Sequence, residues 1–300
     1  MHSGLTVQHC GANARAAAAP PHPPRSRCRR LRPLVRSLDL HLPPPCRQLF
    51  HTLYLLRTGS DQALANLHFA VADATGSRHF VGTILYLHDW LESEFKDNCT
   101  MKQVQLFCPK QYEKILGHKR TRRIFDASEL FFQTSSDCMT SRNTWSEYKH
   151  HHTAKFLASI EPSGGFDFVS KAYGGRIDDV ELAKICGLLD LVEEGDVSLA
   201  DRGFILKHLF DEKSGELLHP PKSWNGQEYF TEEESKYSSD IARLRIHIER
   251  AFARVKQFQV FAKTLKITQS DLVGKMFKVA CYLTHYMPPL VSDKEDESEP

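Results

Sequence analysis

Asp126, Asp201 and Glu249 are three acids that could share one piece of chemistry. Asp201 stands near the end of residues 196–204, DVSLADRGF, where Val197 and Leu199 predict a short buried strand and Gly203 breaks it. It therefore falls at the carboxyl end of a strand, where ligands and catalytic groups collect in open α/β sheets. An acid at such a place also serves to cap a helix or to bond local backbone amides. Asp126 lies within RIFDASELFFQ, which predicts a first strand, and Glu249 lies on a long basic helix. So far apart in sequence, the three can meet only through the fold. If they meet, their oxygens suit a hard divalent cation, Mg²⁺ or Mn²⁺. Two such ions clamp the attacking and leaving oxygens of an in-line phosphoryl displacement. Taken singly, Asp126 fits an exposed strand residue equally well, and Glu249 fits a partner for Arg245 one helical turn earlier.

The elements that must position these acids are legible as patterns. Residues 155–160 and 166–172 predict a hairpin closed by a Pro162-Ser163-Gly164-Gly165 turn. A helix follows over 179–191, with Asp178 or Asp179 as its cap. The strongest periodicity is over 238–258, where Ile241, Leu244, Ile248, Phe252 and Val255 repeat at three-to-four spacing. Arg243, Arg245, Arg250, Arg254 and Lys256 crowd the rest of that helix. A last helix over 271–285 ends before Pro288-Pro289.

Ahead of this core, residues 61–95 predict two helices joined by a turn at Ala74-Thr75-Gly76, with Ser77 capping the second. Such a pair suits helix-turn-helix DNA reading or plain packing. A helical connector then ends in the basic run 118–123, readable as a phosphate-contacting patch, a nuclear import signal or a charged loop. Residues 1–48 predict a disordered Pro/Arg/Ala-rich arm, and residues 291–300 an acidic disordered tail. The expected fold class is α/β, a core behind a small helical segment at 60–100.

Composition narrows the setting. A formal charge of +2 is too balanced to argue for or against nucleic acid, so only its distribution informs. No apolar run approaches the roughly 18 residues of a membrane span, and the first residues lack the apolar centre of a secretory signal. Eight scattered cysteines without a C-x-x-C pair count against a zinc module and a disulfide framework. The expected compartment is intracellular, nuclear for a protein acting on DNA, with the cytoplasm as second choice.

Several further residues carry expectations. Lys149 and His150 are placed to contact phosphate, whereas the tract His150-His151-His152 is a poor chelator because successive strand residues face opposite ways. The same alternation turns Glu129 away from Asp126. Arg202 can contact phosphate or hold its neighbour Asp201, and Trp145 and Trp224 fit core packing or stacking on bases.

Five blocks in order carry a resemblance: FDASELFFQTSS, TWSEYKHHHTAKFLASIEPSGGFDFVSKAYGGRIDD, GLLDLVEEGDVSLADRGF, IARLRIHIERAFARVKQF and LTHYMPPL. Over residues 123–290 the chain resembles the DDE superfamily endonucleases of Harbinger-type and related transposases, including their domesticated descendants. The resemblance implies a ribonuclease H-like catalytic core in which Asp126, Asp201 and Glu249 bind a divalent metal cation. Asp179 in GGRIDD matches a further acid of the group, a fourth candidate metal ligand. The implied activity is metal-dependent cleavage of DNA phosphodiesters by two ions, with Lys149, His150, Arg202, Arg245, Arg250 and Arg254 as candidate DNA contacts. DNA is the implied partner; a separate DNA-binding partner protein and a homo-oligomer are compatible with it, and no membrane is. The alternative is a domesticated, catalytically inactive DNA-binding or interaction protein that keeps the transposase fold.

Overall fold

Residues Thr121–Phe131 form the central strand β1, and their side chains divide cleanly between two cores. Ile124 and Leu130 enter one hydrophobic cluster, whereas Phe125 and Ala127 enter the other, as a period of two demands. The structure is a computed structural model that describes residues 44–96, 100–221 and 230–291. Its other strands are β2 (Trp145–Ser146), β3 (His151–Ile160), β4 (Phe166–Val169), β5 (Tyr173–Gly174), β6 (Val197–Leu199) and β7 (Glu216–Leu218). They form one sheet in the order β2-β3-β1-β6-β7, with β4 and β5 also paired to β3. Pairing is antiparallel from β1 through β3 to β4 and parallel from β1 through β6 to β7.

The helices are α1 (Pro44–Thr58), α2 (Gln62–His68), α3 (Asp73–Phe95), α4 (Met101–Phe107), α5 (Lys110–Leu116), α6 (Cys138–Thr144), α7 (Asp179–Ile185), α8 (Lys207–Asp211), α9 (Glu232–Lys256) and α10 (Ser270–Leu283). The larger cluster joins one sheet face to α9, α10, α3 and α1 through residues such as Phe156, Ile248, Phe277, Ile84 and Leu56. The smaller joins the other face to α7 and α8 through Leu157, Leu182, Phe204 and Phe210. The architecture is mixed α/β with helices on both faces. Among the described residues no helix is long and apolar enough to cross a membrane, and five cysteines are free.

Three expectations change. α1 begins at Pro44, so the last residues assigned to the arm over 1–48 are helical; residues 1–43 lie outside the described residues, as do 292–300 of the tail. The segment over 60–100 is helical as expected, and it packs on the core. Phe80, Ile84, Leu87 and Leu91 of α3 are buried in the same cluster as α10, and Lys278 of α10 holds Glu92 at 2.7 Å. The expected turn at residues 74–76 also lies inside α3, whose preceding residue Ala72 makes no side-chain cap. Gly76 is there for packing: a Cβ would stand 2.0 Å from the Asn66 Oδ1 of α2. The chain turns instead at Ala70, which takes the left-handed φ of 51°, and Ser77 accepts from Gln62 rather than capping.

The basic run before β1 is the third. Arg122 and Arg123 are buried in β1 at 4% and 2% exposure, so only residues 118–120 of the basic run 118–123 lie at the surface. Arg123 donates to Asp167 at 2.7 Å and to the Leu191 carbonyl at 2.7 Å, and lies 3.6 Å from Asp196. Ser159 completes the network with a 2.5 Å bond to Asp167. Arg120 and Lys119 pair outside with Glu216 and Glu113.

The later elements follow the sequence. α9 starts at a full capping box between Thr231 and Glu234, and Asp178 caps α7 by accepting from Val180. α7 ends six residues earlier than the pattern predicts, at Ile185, ahead of Gly187 with φ 91° and a short 3₁₀ turn over Leu189–Leu191.

Candidate active site

The parallel register of β1 and β6 pairs Ile124 with Leu199. Two residues further along in each strand direction stand Asp126, in the middle of β1, and Asp201, just past the end of β6, so the register sets the two acids side by side. By parity both share the face of Ile124 and Leu199, the face covered by α9. Asp201 lies in the bend after β6, its side chain 53% exposed. The Arg202 amide holds its Oδ1 at 2.7 Å, and the Arg245 guanidinium reaches the same oxygen from α9 at 3.0 Å.

Asp126 is only partly exposed, and its carboxyl is pushed up to about 6. Desolvation is the main cause; the Ala127 amide and the Arg245 cation oppose it, and Asp201 and Asp179 add to it. The charges of Arg245, Asp201 and Asp179 are thus all felt at Asp126.

Asp179 arrives from the other layer. Because Asp178 caps α7, Asp179 is left to meet the ammonium of Lys155 at 3.1 Å. Lys155 is a buried cation in β3, also donating to the Ile177 carbonyl at 2.8 Å and lying 3.6 Å from Glu129. Glu129 is held further by the Thr153 hydroxyl at 2.6 Å. It faces away from Asp126, as alternation predicted, and is occupied in this network. The role of Lys155 was not foreseen, although a lysine inside the apolar run AKFLASI is a visible anomaly.

Glu249 is exposed on α9, four residues after Arg245 and seven before Lys256, which puts all three on one stripe of the helix. Both neighbours on that stripe sense the acids. Arg245 binds Asp201, and the Lys256 ammonium, lowered by desolvation and by Lys149, is drawn back up by Asp126 and Glu129. Glu249 shares that stripe but makes no hydrogen bond or ion pair among the described residues. Among those residues no three His, Cys, Asp or Glu side chains are close enough to hold one ion between them.

The candidate DNA contacts separate. Lys149 and His150 are exposed in the turn between β2 and β3, with His150 at φ 49° and Lys149 lying 4.4 Å over the Tyr148 ring. Arg202 is exposed and lies 5.8 Å over Phe230, and Arg250 is exposed on α9. Arg245 is buried and bound to Asp201, so it faces the acids rather than a backbone outside. Arg254, nine residues on and hence on the opposite side of the helix, donates to the carbonyls of Pro288 and Pro289 at 2.6 and 3.2 Å. Trp145 is 37% exposed, and Trp224 lies outside the described residues.

A mixed α/β sheet with one aspartate in the central strand and another just past the end of its parallel neighbour defines a protein with an acidic site on one sheet face. A family model described as DDE superfamily endonuclease matches residues 125–285, more than half of the chain, and the chain belongs to that family. The match includes Asp126, Asp179, Asp201 and Glu249. No curated protein and no solved structure matches the chain.

Proposed function

We propose that the chain is a divalent-metal-dependent DNA endonuclease of transposase origin, of the Harbinger type, with a ribonuclease H-like core. The sheet supports that core: three antiparallel strands, β4, β3 and β1, are followed by parallel β6 and β7. The observation that carries the proposal is the register that sets the part-buried Asp126 beside Asp201 within the stretch matched by the family model. A desolvated carboxylate flanked by two half-exposed ones offers hard oxygens of the kind a divalent cation prefers. Asp126, Asp179 and Asp201 would hold the metal, with Glu249 completing the set from the α9 stripe.

Bound there, Mg²⁺ or Mn²⁺ supplies Lewis-acid charge and an activated water for attack on a phosphodiester. The chain's own residues prepare the place. Lys155 anchors Asp179, the Arg202 amide orients Asp201, and Arg245 balances charge among the acids. Lys149 and Lys256 add positive potential beside the site for a polyanion. DNA as substrate and the nucleus as compartment follow from this reading.

Titration calorimetry with Mn²⁺ tests the site. Wild type should bind, and Asp126→Asn and Asp201→Asn should each lose most of the affinity; equal binding by all three would overturn the ligand assignment. One observation favours a second reading, a domesticated DNA-binding protein without cleavage: Arg245 already pairs with Asp201, and no three acids among the described residues are close enough to hold one ion. That protein would bind DNA and show no Mn²⁺ heat.

A further inference from the structure

The sheet ends at β2, where two residues carry more aromatic surface than packing uses. Trp145 is 37% exposed and Tyr148, in the turn that follows, 79%. Trp145 pairs across the strands with His152, their rings edge to face at 5.3 Å. Register then fixes which side of the sheet this pair occupies. Asp126 opposes Ala158 on β3, and His152 lies six residues from Ala158, an even number. Trp145 and His152 therefore share the Asp126 face, about 20 Å away along β3 at ~3.3 Å per residue. Phe131 opposes Thr153 and lies on the other face, its ring against His151 at 4.9 Å.

Cations link the aromatic pair to the acids. The Lys149 ammonium rides 4.4 Å over the Tyr148 ring, and Lys149 repels Lys256, which in turn is attracted by Asp126. A path of positive charge and open aromatic rings thus runs from the hairpin tip toward the acidic site. Aromatic faces flanked by lysine suit bases whose own faces are free. Paired bases inside a duplex offer no such faces, because each is covered by its neighbours.

We infer that Trp145 and Tyr148, with Lys149 over the Tyr148 ring, form a stacking platform for unpaired DNA bases about 20 Å along β3 from the acids. The inference takes DNA as ligand from the nuclease reading but does not need cleavage. It specifies the substrate: DNA that is single-stranded or opened where it leaves the acids.

The test is binding in chelator, so that no cutting occurs. Fluorescence anisotropy compares oligothymidine of about 12 nucleotides with a duplex of the same length, within the site sizes usual for such surfaces. The double variant Trp145→Ala/Tyr148→Ala should lose about 10- to 100-fold in affinity for the single strand and less than about 2-fold for the duplex. Trp145→Phe/Tyr148→Phe should recover most of the loss, and Phe131→Ala should change nothing. With Trp90 and Trp224 replaced by Phe, Trp145 emission should be quenched by oligothymidine and not by the duplex. Equal losses on both DNAs, no loss on either, or an unquenched Trp145 would overturn the platform. A wild type that shows the quench but no metal-dependent cleavage would overturn the nuclease and keep the platform.

Discussion

Arg245 of α9 meets Asp201 at 3.0 Å at the point where β1 and β6 bring two aspartates side by side. A buried guanidinium thus reaches a half-exposed carboxylate, and the same cation acts on Asp126. Because Asp201 is open to water, this pair adds little to stability, within about 1 kcal/mol. Its larger effect is on the site, where it competes with any other cation for the same oxygen. Arg245→Gln should therefore raise Mn²⁺ affinity in titration calorimetry, with only a small change in the denaturation midpoint. Unchanged or weaker Mn²⁺ binding would show that Arg245 does not compete.

Asp126 should lower stability while serving function. Its folded pKa, about 6, is raised above the ordinary 3.8, so the folded state holds the proton more tightly than the unfolded chain. The contribution of this group to stability is then largest below pH 3.8 and falls as pH rises through about 6, by up to about 3 kcal/mol. Asp126→Asn has no such group to ionise. Urea denaturation in chelator should find the variant more stable than wild type at pH 7 and the difference gone near pH 4.

The Arg123 network should be structural. Its guanidinium is buried with Asp167 and Asp196, and desolvation raises the Asp196 carboxyl against the pull of Glu193's amide, Arg122 and Arg123. Arg123→Met leaves two acids buried without their cation and should cost about 3–5 kcal/mol in urea. Arg120→Ala, breaking an exposed pair with Glu216, should stay within about 0.5 kcal/mol.

Lys155 couples the layers, and a double-mutant cycle reads it. Lys155→Met strands Glu129 in a buried place and should be strongly destabilising, by about 3 kcal/mol or more. Adding Glu129→Gln should restore a substantial part of that loss, a coupling visible in the denaturation midpoints. Additive losses would mean that the two side chains are not partners.

The sequence carried the core further than the parts around it. Strand alternation in β1, the Pro-Ser-Gly-Gly turn after β3 and the periodic stripe of α9 are local patterns, and each element formed where its pattern lay. Asp126 and Asp201 were legible as strand acids, but only the register made them neighbours. Gly76 misled because a glycine marks a turn and a close helix contact alike. Arg122 and Arg123 misled because a run of charges carries no sign of the buried acids awaiting it from β4 and the start of β6. Arg245 belonged to a row of arginines, and nothing in that row distinguished the one turned toward Asp201 from Arg254, which clamps the chain after α10.

The central claim is that Asp126 and Asp201 are joint ligands of a metal that cuts DNA. Conversion of supercoiled plasmid to nicked and linear forms, with Mg²⁺ or Mn²⁺ and with chelator, measures it most directly for wild type, Asp126→Asn and Asp201→Asn. Wild type should cleave only with metal, and each variant should lose at least about 100-fold. Cleavage by either variant at the wild-type rate, or wild-type cleavage in chelator, would contradict the claim.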